Sequence, residues 1–255
     1  MLLPGGQGET WRAGDVILKP CAATVEAAWV AEVMSGLQPS DEFRVPTPLP
    51  AADGSWTAYG WQAWRAVDGE ADPRRCDDVL RAGQAFHRAL AGLPRPEFLD
   101  VRDDPWSFGD RLAFHELPMT GHEVMSDLLT PLVHARRPVT MTSQVVHGDL
   151  LGNVLFADGL PPAIIDWPVY FRPAPWALAV AVIDAVAWHS ATDALVNRWA
   201  ATDQWDQMLV RALIFRIATS EGRRRHGLDV REAADGYRPV VDLVLTRIAD
   251  GTFSA

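Results

Sequence analysis

The hydrophobic positions of the first 65 residues fall mainly in short alternating runs, which is the pattern of β-strands. Residues 9–20 form two such runs around a turn at Gly14 and predict a β-hairpin, and a later apolar strand is predicted to pass through Trp64. Residues 23–37 differ, because their apolar side chains recur at helical spacing, and Thr24 is the predicted N-cap. The apolar positions of this helix are Val25, Trp29, Val33 and Leu37. The pattern therefore predicts a small β-rich unit that contains one helix.

From residue 72 onward the apolar positions recur mainly at helical spacing. The predicted helices are 76–93, 106–116, 122–135, 175–196, 203–225 and 231–249. Short β runs are predicted at 144–146, 153–156 and 163–165. Because the strand pattern gives way to the helix pattern near residues 65–69, we predict an α+β chain with two lobes. The small β-rich lobe covers residues 1–66, and the larger, mostly helical lobe covers residues 67–255.

The composition is that of a globular protein with an ample core. The chain has 255 residues, of which 48% are hydrophobic and 22% charged, and its formal net charge is −10. Such an acidic chain is not expected to bind nucleic acid. No secretory signal and no apolar stretch long enough to cross a bilayer is present, so we expect a cytoplasmic protein without a membrane partner. Cys21 and Cys76 form no CxxC pair and are expected to be reduced, buried thiols.

The basic residues are unevenly distributed, with 22 arginines and a single lysine, Lys19. In an arginine-rich chain a lone lysine can mark a position that a guanidinium cannot fill, because ammonium and guanidinium differ in shape and hydration. The alternative is that one surface lysine remains by chance. Lys19 ends the second strand of the predicted hairpin, and Glu26 follows in the first turns of the predicted helix. We therefore expect Glu26 to pair with Lys19.

Three polar residues lie where short apolar runs end. Asp149 and Asn153 share a loop in the stretch VHGDLLGNVLF, and Asp166 follows the apolar run AII. Carboxylate and amide oxygens suit Mg²⁺, which keeps phosphates and waters among its ligands, so the set indicates phosphoryl transfer. The alternative is that these residues are ordinary turn residues.

A glycine-rich run precedes the hairpin, and it consists of Gly5, Gly6, Gln7 and Gly8. Such a run can present backbone N–H groups to phosphate oxygens, since glycine lets the main chain approach a ligand closely. Taken alone, a run of this kind is more often a flexible turn. The ordered set of glycine run, strand lysine, helix glutamate, loop Asp and Asn, and final Asp is more specific than any one of its members.

Four segments carry a resemblance to a known family. They are HGDLLGNVLF (147–156), AIIDW (163–167), VEAAWVAEVMSGL (25–37) and WRAVDG (64–69). The first two resemble the HGDxxxxN loop and the IDF or IDW segment of the aminoglycoside phosphotransferase and choline kinase-like branch of the protein-kinase fold. The third resembles the glutamate-containing helix of that family, and the fourth its hinge. The resemblance implies a bilobal protein-kinase-like fold and transfer of phosphate from ATP, with Mg²⁺, to a hydroxyl of a small molecule.

For the helical lobe, the resemblance implies that Asp149 orients or deprotonates the acceptor hydroxyl. Asn153 and Asp166 would bind Mg²⁺, and His147 would order the loop. The loop from Asp149 to Asn153 is one residue shorter than the family motif, so the turn at Gly152 decides where the amide lies.

For the small lobe, the resemblance implies that Lys19 binds the α- and β-phosphates of ATP and that Glu26 braces it. The backbone of Gly5, Gly6, Gln7 and Gly8 would contact the phosphates. Adenine would bond to the backbone between Trp64 and Val67, a segment that includes Ala66.

Two further departures from the family bear on activity and acceptor. Ala177 occupies the position at which the family carries an aspartate that braces the loop. Residues 168–183 contain no carboxylate, although sites for polycationic drugs are rich in acids.

The leading hypothesis is a kinase for an aminoglycoside-, sugar- or amino-alcohol-like acceptor. The competing hypotheses are a nucleotide-binding pseudokinase that serves as a regulatory or scaffold module, and a degenerate fold that binds no nucleotide. The sequence does not determine the oligomeric state.

Overall fold

The computed structural model of the chain describes residues 1–3, 9–38, 40–117, 125–225 and 234–252. The strands, in chain order, are β1 (Trp11–Ala13), β2 (Val16–Pro20), β3 (Pro48–Leu49), β4 (Trp61–Arg65), β5 (Glu70–Ala71), β6 (Gln144–His147), β7 (Val154–Phe156), β8 (Ala163–Ile164) and β9 (Val169–Arg172). The helices are α1 (Thr24–Gly36), α2 (Cys76–Leu90), α3 (Pro105–Ala113), α4 (Ser126–Ala135), α5 (Ala174–Trp188), α6 (Ala194–Arg198), α7 (Trp205–Arg225) and α8 (Arg238–Thr252). The predicted α+β class is confirmed.

An antiparallel sheet with the strand order β1-β2-β4-β3 forms the N-terminal part of the fold. Strands β1 and β2 are the predicted hairpin, and Gly14 closes it at φ +63°, a left-handed conformation that glycine adopts without a steric penalty. Strand β4 pairs with β2 in a register that places Lys19 opposite Gln62. The next strand, β5, pairs with β7, far along the chain. A lobe boundary after residue 66 stays a prediction.

Helix α1 lies where a helix was predicted, but two details of that prediction were wrong. Thr24 is the first helical residue, and the N-cap is Ala23, which makes no side-chain hydrogen bond. The predicted face is not the most buried one, because Val25 is 71% exposed. The buried side chains are Ala27, Val30, Ala31 and Met34. Both faces carry apolar residues, so periodicity could not choose between them, and packing against the core decides which one is buried.

Two small sheets hold the segments on either side of the Asp149 loop. Strand β6 precedes the loop and pairs with β9, whereas β7 follows the loop and lies between β5 and β8. Strand β9 was not predicted, because its four residues show no clear alternation. The loop therefore connects two different sheets.

Most of the buried core residues belong to the helical part. Residues 176–185 of α5 are all buried, and α5 packs against α7. The predicted helix over 175–196 is in fact two helices, because α5 ends at Trp188 and Ser190 adopts a left-handed φ of +57° before α6 begins. The first residues of the helices predicted at 122–135 and 231–249, 122–124 and 231–233, lie outside the described residues, and the observed helices α4 and α8 begin at Ser126 and Arg238.

Cys21 and Cys76 are buried and are not joined in a disulfide, as predicted. Across the described ranges, every helix is too short or too polar to cross a membrane.

Candidate functional site

The Asp149 loop begins at a glycine that no other residue could replace without a shift of its surroundings. Gly148 follows β6, and a Cβ atom added there would lie 2.3 Å from Cδ2 of Tyr170. The Tyr170 ring is itself fixed, since it packs edge-on against Trp176 with ring centroids 5.3 Å apart. The backbone N–H of Gly148 donates to the carbonyl of Pro168 at 3.2 Å. The aromatic core therefore sets the start of the loop.

The shortened loop brings Asn153 to the cleft by means of a glycine turn. Gly152 has φ +87°, and the N–H of Asn153 donates to the carbonyl of Leu150 at 3.0 Å, which closes a tight turn. The Asn153 amide nitrogen donates to the backbone carbonyl of Asp149 at 2.7 Å. This bond leaves the Asn153 amide oxygen as the atom available to a cation.

His147 is fully occupied by hydrogen bonds that order the loop. Its Nδ1 accepts from the backbone N–H of Asp149 at 3.1 Å, so Nε2 carries the proton and donates to the carbonyl of Ile165 at 3.0 Å. Its own backbone N–H donates to Nε2 of His87 at 3.0 Å. Both imidazoles are buried, and burial lowers the pKa of each. His147 thus ties the loop to the segment before Asp166 and has no free nitrogen for a role as a base.

The buried His87 predicts a loss of stability in mild acid. Burial, assisted by His147, lowers the pKa of His87 to about 3. An unfolded chain takes up this proton near pH 6.5, so the contribution of His87 to stability is complete above about pH 6.5 and is lost as the pH falls toward 3. At pH 5 the expected loss is about 2 kcal/mol from this residue alone.

Urea unfolding between about pH 7.5 and pH 5 measures this loss. In His87→Gln the amide oxygen can still accept a hydrogen bond from the backbone N–H of His147, but it cannot titrate. The free energy of unfolding should therefore fall by about 2 kcal/mol less between pH 7.5 and pH 5 than it does in wild type. An unchanged slope in the variant would show that His87 does not cause the acid sensitivity.

Lys19 and Asp166 meet in the structure as an ion pair. The Lys19 ammonium lies 2.7 Å from Oδ1 of Asp166, and the two side chains are 19% and 55% exposed. Asp166 has φ +49°, a left-handed conformation that is uncommon for residues other than glycine and is often found at functional sites. The structure therefore brings together the residues predicted to bind phosphate and metal.

Glu26 does not pair with Lys19, and this expectation was wrong. Its carboxylate forms an ion pair with Arg102, which contacts it through both Nε (3.2 Å) and Nη2. Arg102 also donates to the carbonyl of Val169 at 2.7 Å, so the contact joins α1 to β9. Arg102 lies 76 positions after Glu26 in the chain, and no local pattern could have predicted that it would be closer to Glu26 than Lys19 is.

Four of the residues predicted to bind the nucleotide and both predicted metal ligands line one cleft of about 970 Å³. Its wall includes Lys19, Glu26, Trp64, Ala66, Asn153 and Asp166. The backbone N–H of Ala66 donates to the carbonyl of Asp15 at 2.7 Å, so this N–H is committed to the hairpin and only the Ala66 carbonyl can serve a ligand.

The predicted glycine run, Gly5, Gly6, Gln7 and Gly8, lies outside the described residues. Leu3, two positions before the run, and Thr10, two positions after it, both line the cleft.

The charge partners of Asp149 were not identified from the sequence. Its Oδ1 lies 2.5 Å from Nη2 of Arg216, on α7. The same guanidinium bonds to Asp184 of α5 through Nε and Nη2, and the hydroxyl of Tyr237 donates to Asp184 at 2.6 Å. A lone acid in the apolar run of α5 was the available signal, because a buried carboxylate requires a partner.

Arg216 carries a permanent charge inside the fold. Burial alone would lower the pKa of Arg216, but the carboxylates of Asp184 and Asp149 outweigh this effect and raise it well above its usual value. The Arg216 side chain is 13% exposed, and its guanidinium therefore stays charged next to the loop at any working pH.

Comparison with known proteins identifies the fold. No protein-family model matches the chain, and no curated protein matches its sequence. Solved structures match over nearly the whole chain. One is a thermostable mutant of aminoglycoside phosphotransferase APH(4)-Ia in ternary complex with AMP-PNP and hygromycin B, at 14% identity and TM-score 0.61, covering 98% of this chain and 94% of that one.

Two kinases of another kind match similarly. Choline kinase LicA from Streptococcus pneumoniae shows 12% identity and TM-score 0.60, covering 96% of this chain and 92% of its own. A choline/ethanolamine kinase family protein from Mesorhizobium loti shows 19% identity and TM-score 0.56, covering 96% and 87%. The chain therefore has the bilobal, protein-kinase-like fold of these phosphotransferases, as predicted.

Proposed function

We propose that the chain is an ATP- and Mg²⁺-dependent phosphotransferase that transfers the γ-phosphoryl group of ATP to a hydroxyl of a small molecule. The observation that carries this proposal is that Lys19, Asn153 and Asp166 line one cleft, next to the loop that presents Asp149. A phosphate-binding cation, oxygen ligands for a metal and a candidate base are the parts that phosphoryl transfer requires. The shared fold with kinases that bind AMP-PNP or AMP supports the same activity.

The nucleotide would occupy the cleft of about 970 Å³, which is large enough for it. Adenine would lie near Trp64, with the Ala66 carbonyl as an acceptor. The phosphates would extend toward Lys19, whose ammonium would exchange its bond to Asp166 for bonds to phosphate oxygens. The predicted backbone contacts of the run from Gly5 to Gly8 belong to the same proposal.

The donor set also fits Mg²⁺. The free amide oxygen of Asn153 and the half-exposed carboxylate of Asp166 are hard ligands that face the same cleft, and Mg²⁺ usually takes one or two protein oxygens together with phosphates and waters. Bound there, Mg²⁺ would neutralise charge on the phosphates.

Asp149 would act on the acceptor. Its carboxylate would accept a hydrogen bond from the acceptor hydroxyl and take up its proton during transfer. The hydroxyl oxygen would form the new bond to the γ-phosphorus while the bond from that phosphorus to the bridging oxygen of ADP breaks. ADP then leaves with the electron pair of that bond, and the proton on Asp149 returns to solvent.

One observation favours a second function, that of a nucleotide-binding module without catalysis. Glu26 is held by Arg102, so Lys19 has no acidic brace from α1 in this structure. A module of this kind would bind the nucleotide without transferring its phosphate.

Binding and turnover separate the two functions. Mg-ATP at 100 times its Kd should stabilise the fold by about 2.7 kcal/mol, seen as a rise in Tm. Radiolabelled ATP is then incubated with aminoglycosides, sugars, amino alcohols and nucleosides, and transfer to an acceptor would support the phosphotransferase. Binding without transfer to any of them would favour the module, and no rise in Tm would contradict both functions.

A further inference from the structure

A buried chain of charges begins at Asp149 and runs into the helical core. The Asp149 carboxylate is 44% exposed, whereas Arg216 and Asp184, the next two groups, are 13% and 12% exposed. Oδ1 of Asp149 accepts a hydrogen bond from Nη2 of Arg216 at 2.5 Å. Within the part of the chain that the structure describes, the contact of the other oxygen, Oδ2, is a long one of 3.4 Å to the Asn153 amide nitrogen. One oxygen is thus anchored and the other is left for a ligand.

The anchor is itself held from several directions. Arg216 contacts Asp184 through Nε at 3.1 and 3.2 Å and through Nη2 at 2.5 Å, which is a two-point pair. The Tyr237 hydroxyl donates to the same carboxylate at 2.6 Å. Tyr237 packs edge-on against Trp188, and a Cβ at Gly236 would lie 2.0 Å from the Trp188 ring, so this corner is closely packed. Two helices, α5 and α7, and the residue before α8 therefore fix the Arg216 guanidinium.

The loop fixes mainly the backbone of Asp149, since its one contact to the carboxylate is the long one from Asn153 at 3.4 Å. The Asp149 N–H donates to His147, and the Asp149 carbonyl accepts from Asn153, but neither bond acts on the carboxylate. A half-exposed aspartate side chain would otherwise sample several rotamers. Among the described residues, the close charged contact of this carboxylate is the one to Arg216.

We propose that Arg216 is a positioning residue for Asp149, which holds Oδ1 so that Oδ2 points to the acceptor hydroxyl. The inference rests on the proposed function, in which Asp149 receives the acceptor proton. Ala177 of α5 leaves the position of the expected loop brace without a carboxylate, and the pair of Arg216 on α7 with Asp184, two turns further along α5, provides a brace instead. An orientation set by buried groups matters because a displacement of about 1 Å at a reacting group can lower the rate by about 100-fold.

The test measures turnover and nucleotide binding in matched variants. Arg216→Met keeps the length of the side chain and removes its charge, and we expect kcat to fall by about 100-fold with KM for ATP within about twofold of wild type. Arg216→Lys should recover about tenfold of that loss, since an ammonium can still reach one of the two carboxylates. Recovery of kcat at constant KM is a result that a purely structural role would not give.

Arg172 provides the matched control. It forms a two-point pair with Asp110 at 2.7 Å, and its side chain is 14% exposed, close to that of Arg216. Arg172→Met should lower Tm to a similar extent as Arg216→Met but keep kcat, per folded molecule, within about twofold of wild type.

The outcomes separate this inference from the proposed function. Turnover is followed with radiolabelled ATP and the acceptor found in the screen, or with water as the acceptor. A wild-type chain without any turnover overturns the proposed function and the inference with it. An active wild type with Arg216→Met within about threefold of its kcat overturns the inference alone. If Arg216→Met does not fold, Arg216→Lys and Tyr237→Phe decide, and unchanged kcat in both overturns the inference.

Discussion

Replacing Asp149 with asparagine should lower kcat by about 10³- to 10⁴-fold, with the affinity for Mg-ATP within about twofold of wild type. The amide has the shape of the carboxylate but cannot accept the proton of the acceptor hydroxyl, and general-base catalysis contributes about 10²- to 10⁴-fold. The backbone carbonyl that accepts from Asn153 is unchanged. Arg216 keeps its two-point pair with Asp184, so the fold should survive the change.

The measurement compares kcat with the Kd for Mg-ATP, obtained by calorimetry. Asp158→Asn is the control, because this substitution changes the net charge by the same amount at an exposed turn residue just after β7. It should behave like wild type. If Asp149→Asn keeps more than about a tenth of wild-type turnover, Asp149 is not the general base.

Replacing Asp166 with asparagine should also lower kcat strongly, but in this variant the cause is weaker binding of Mg²⁺. Asp166 is the charged member of the pair proposed to hold the cation, and a bound metal contributes several kcal/mol of charge stabilisation in the transition state. We expect kcat to fall by about 10³-fold and the Mg²⁺ concentration for half-maximal turnover to rise. The lost ion pair with Lys19 is partly exposed and should change stability little.

Titration of turnover with Mg²⁺ checks this expectation at saturating ATP, again with Asp158→Asn as the control. A variant whose Mg²⁺ dependence matches that of wild type would show that Asp166 does not bind the metal. Because Asp149→Asn should leave the Mg²⁺ dependence unchanged, the two variants together separate the base from the metal ligand.

The local parts of the fold could be predicted because their signals lie within a few residues of each other. The hairpin at Gly14 and the amphipathic helix α2 follow from periodicity and turn chemistry, and both are present. The wrong details arise where two local patterns compete. Helix α1 has apolar residues on more than one side, and the run through α5 gives no periodic sign of its end at Trp188.

In the candidate site, too, local signals predicted some features and not others. Residue chemistry and the motif resemblance pointed to Asp149, Asn153, Lys19 and Asp166, and the fold brings the last three to one cleft beside the Asp149 loop. The turn that places the Asn153 amide could be expected from Gly152, because glycine adopts the left-handed conformation found there without a steric penalty. The roles of these residues, and the lobe boundary at residue 66, stay predictions.

By itself the sequence determined the class of fold, the N-terminal hairpin and most of the helices, together with the residues proposed to carry the chemistry, since each depends on residue types at short spacing. Tertiary structure alone decided the charge pairs: Glu26 with Arg102, 76 positions away, and Asp149 with Arg216, 67 positions away. An arginine-rich chain offers many possible partners to each carboxylate. The choice among them is made by the packing of helices and sheets, which brings distant groups within bonding distance and excludes the water that would otherwise screen them.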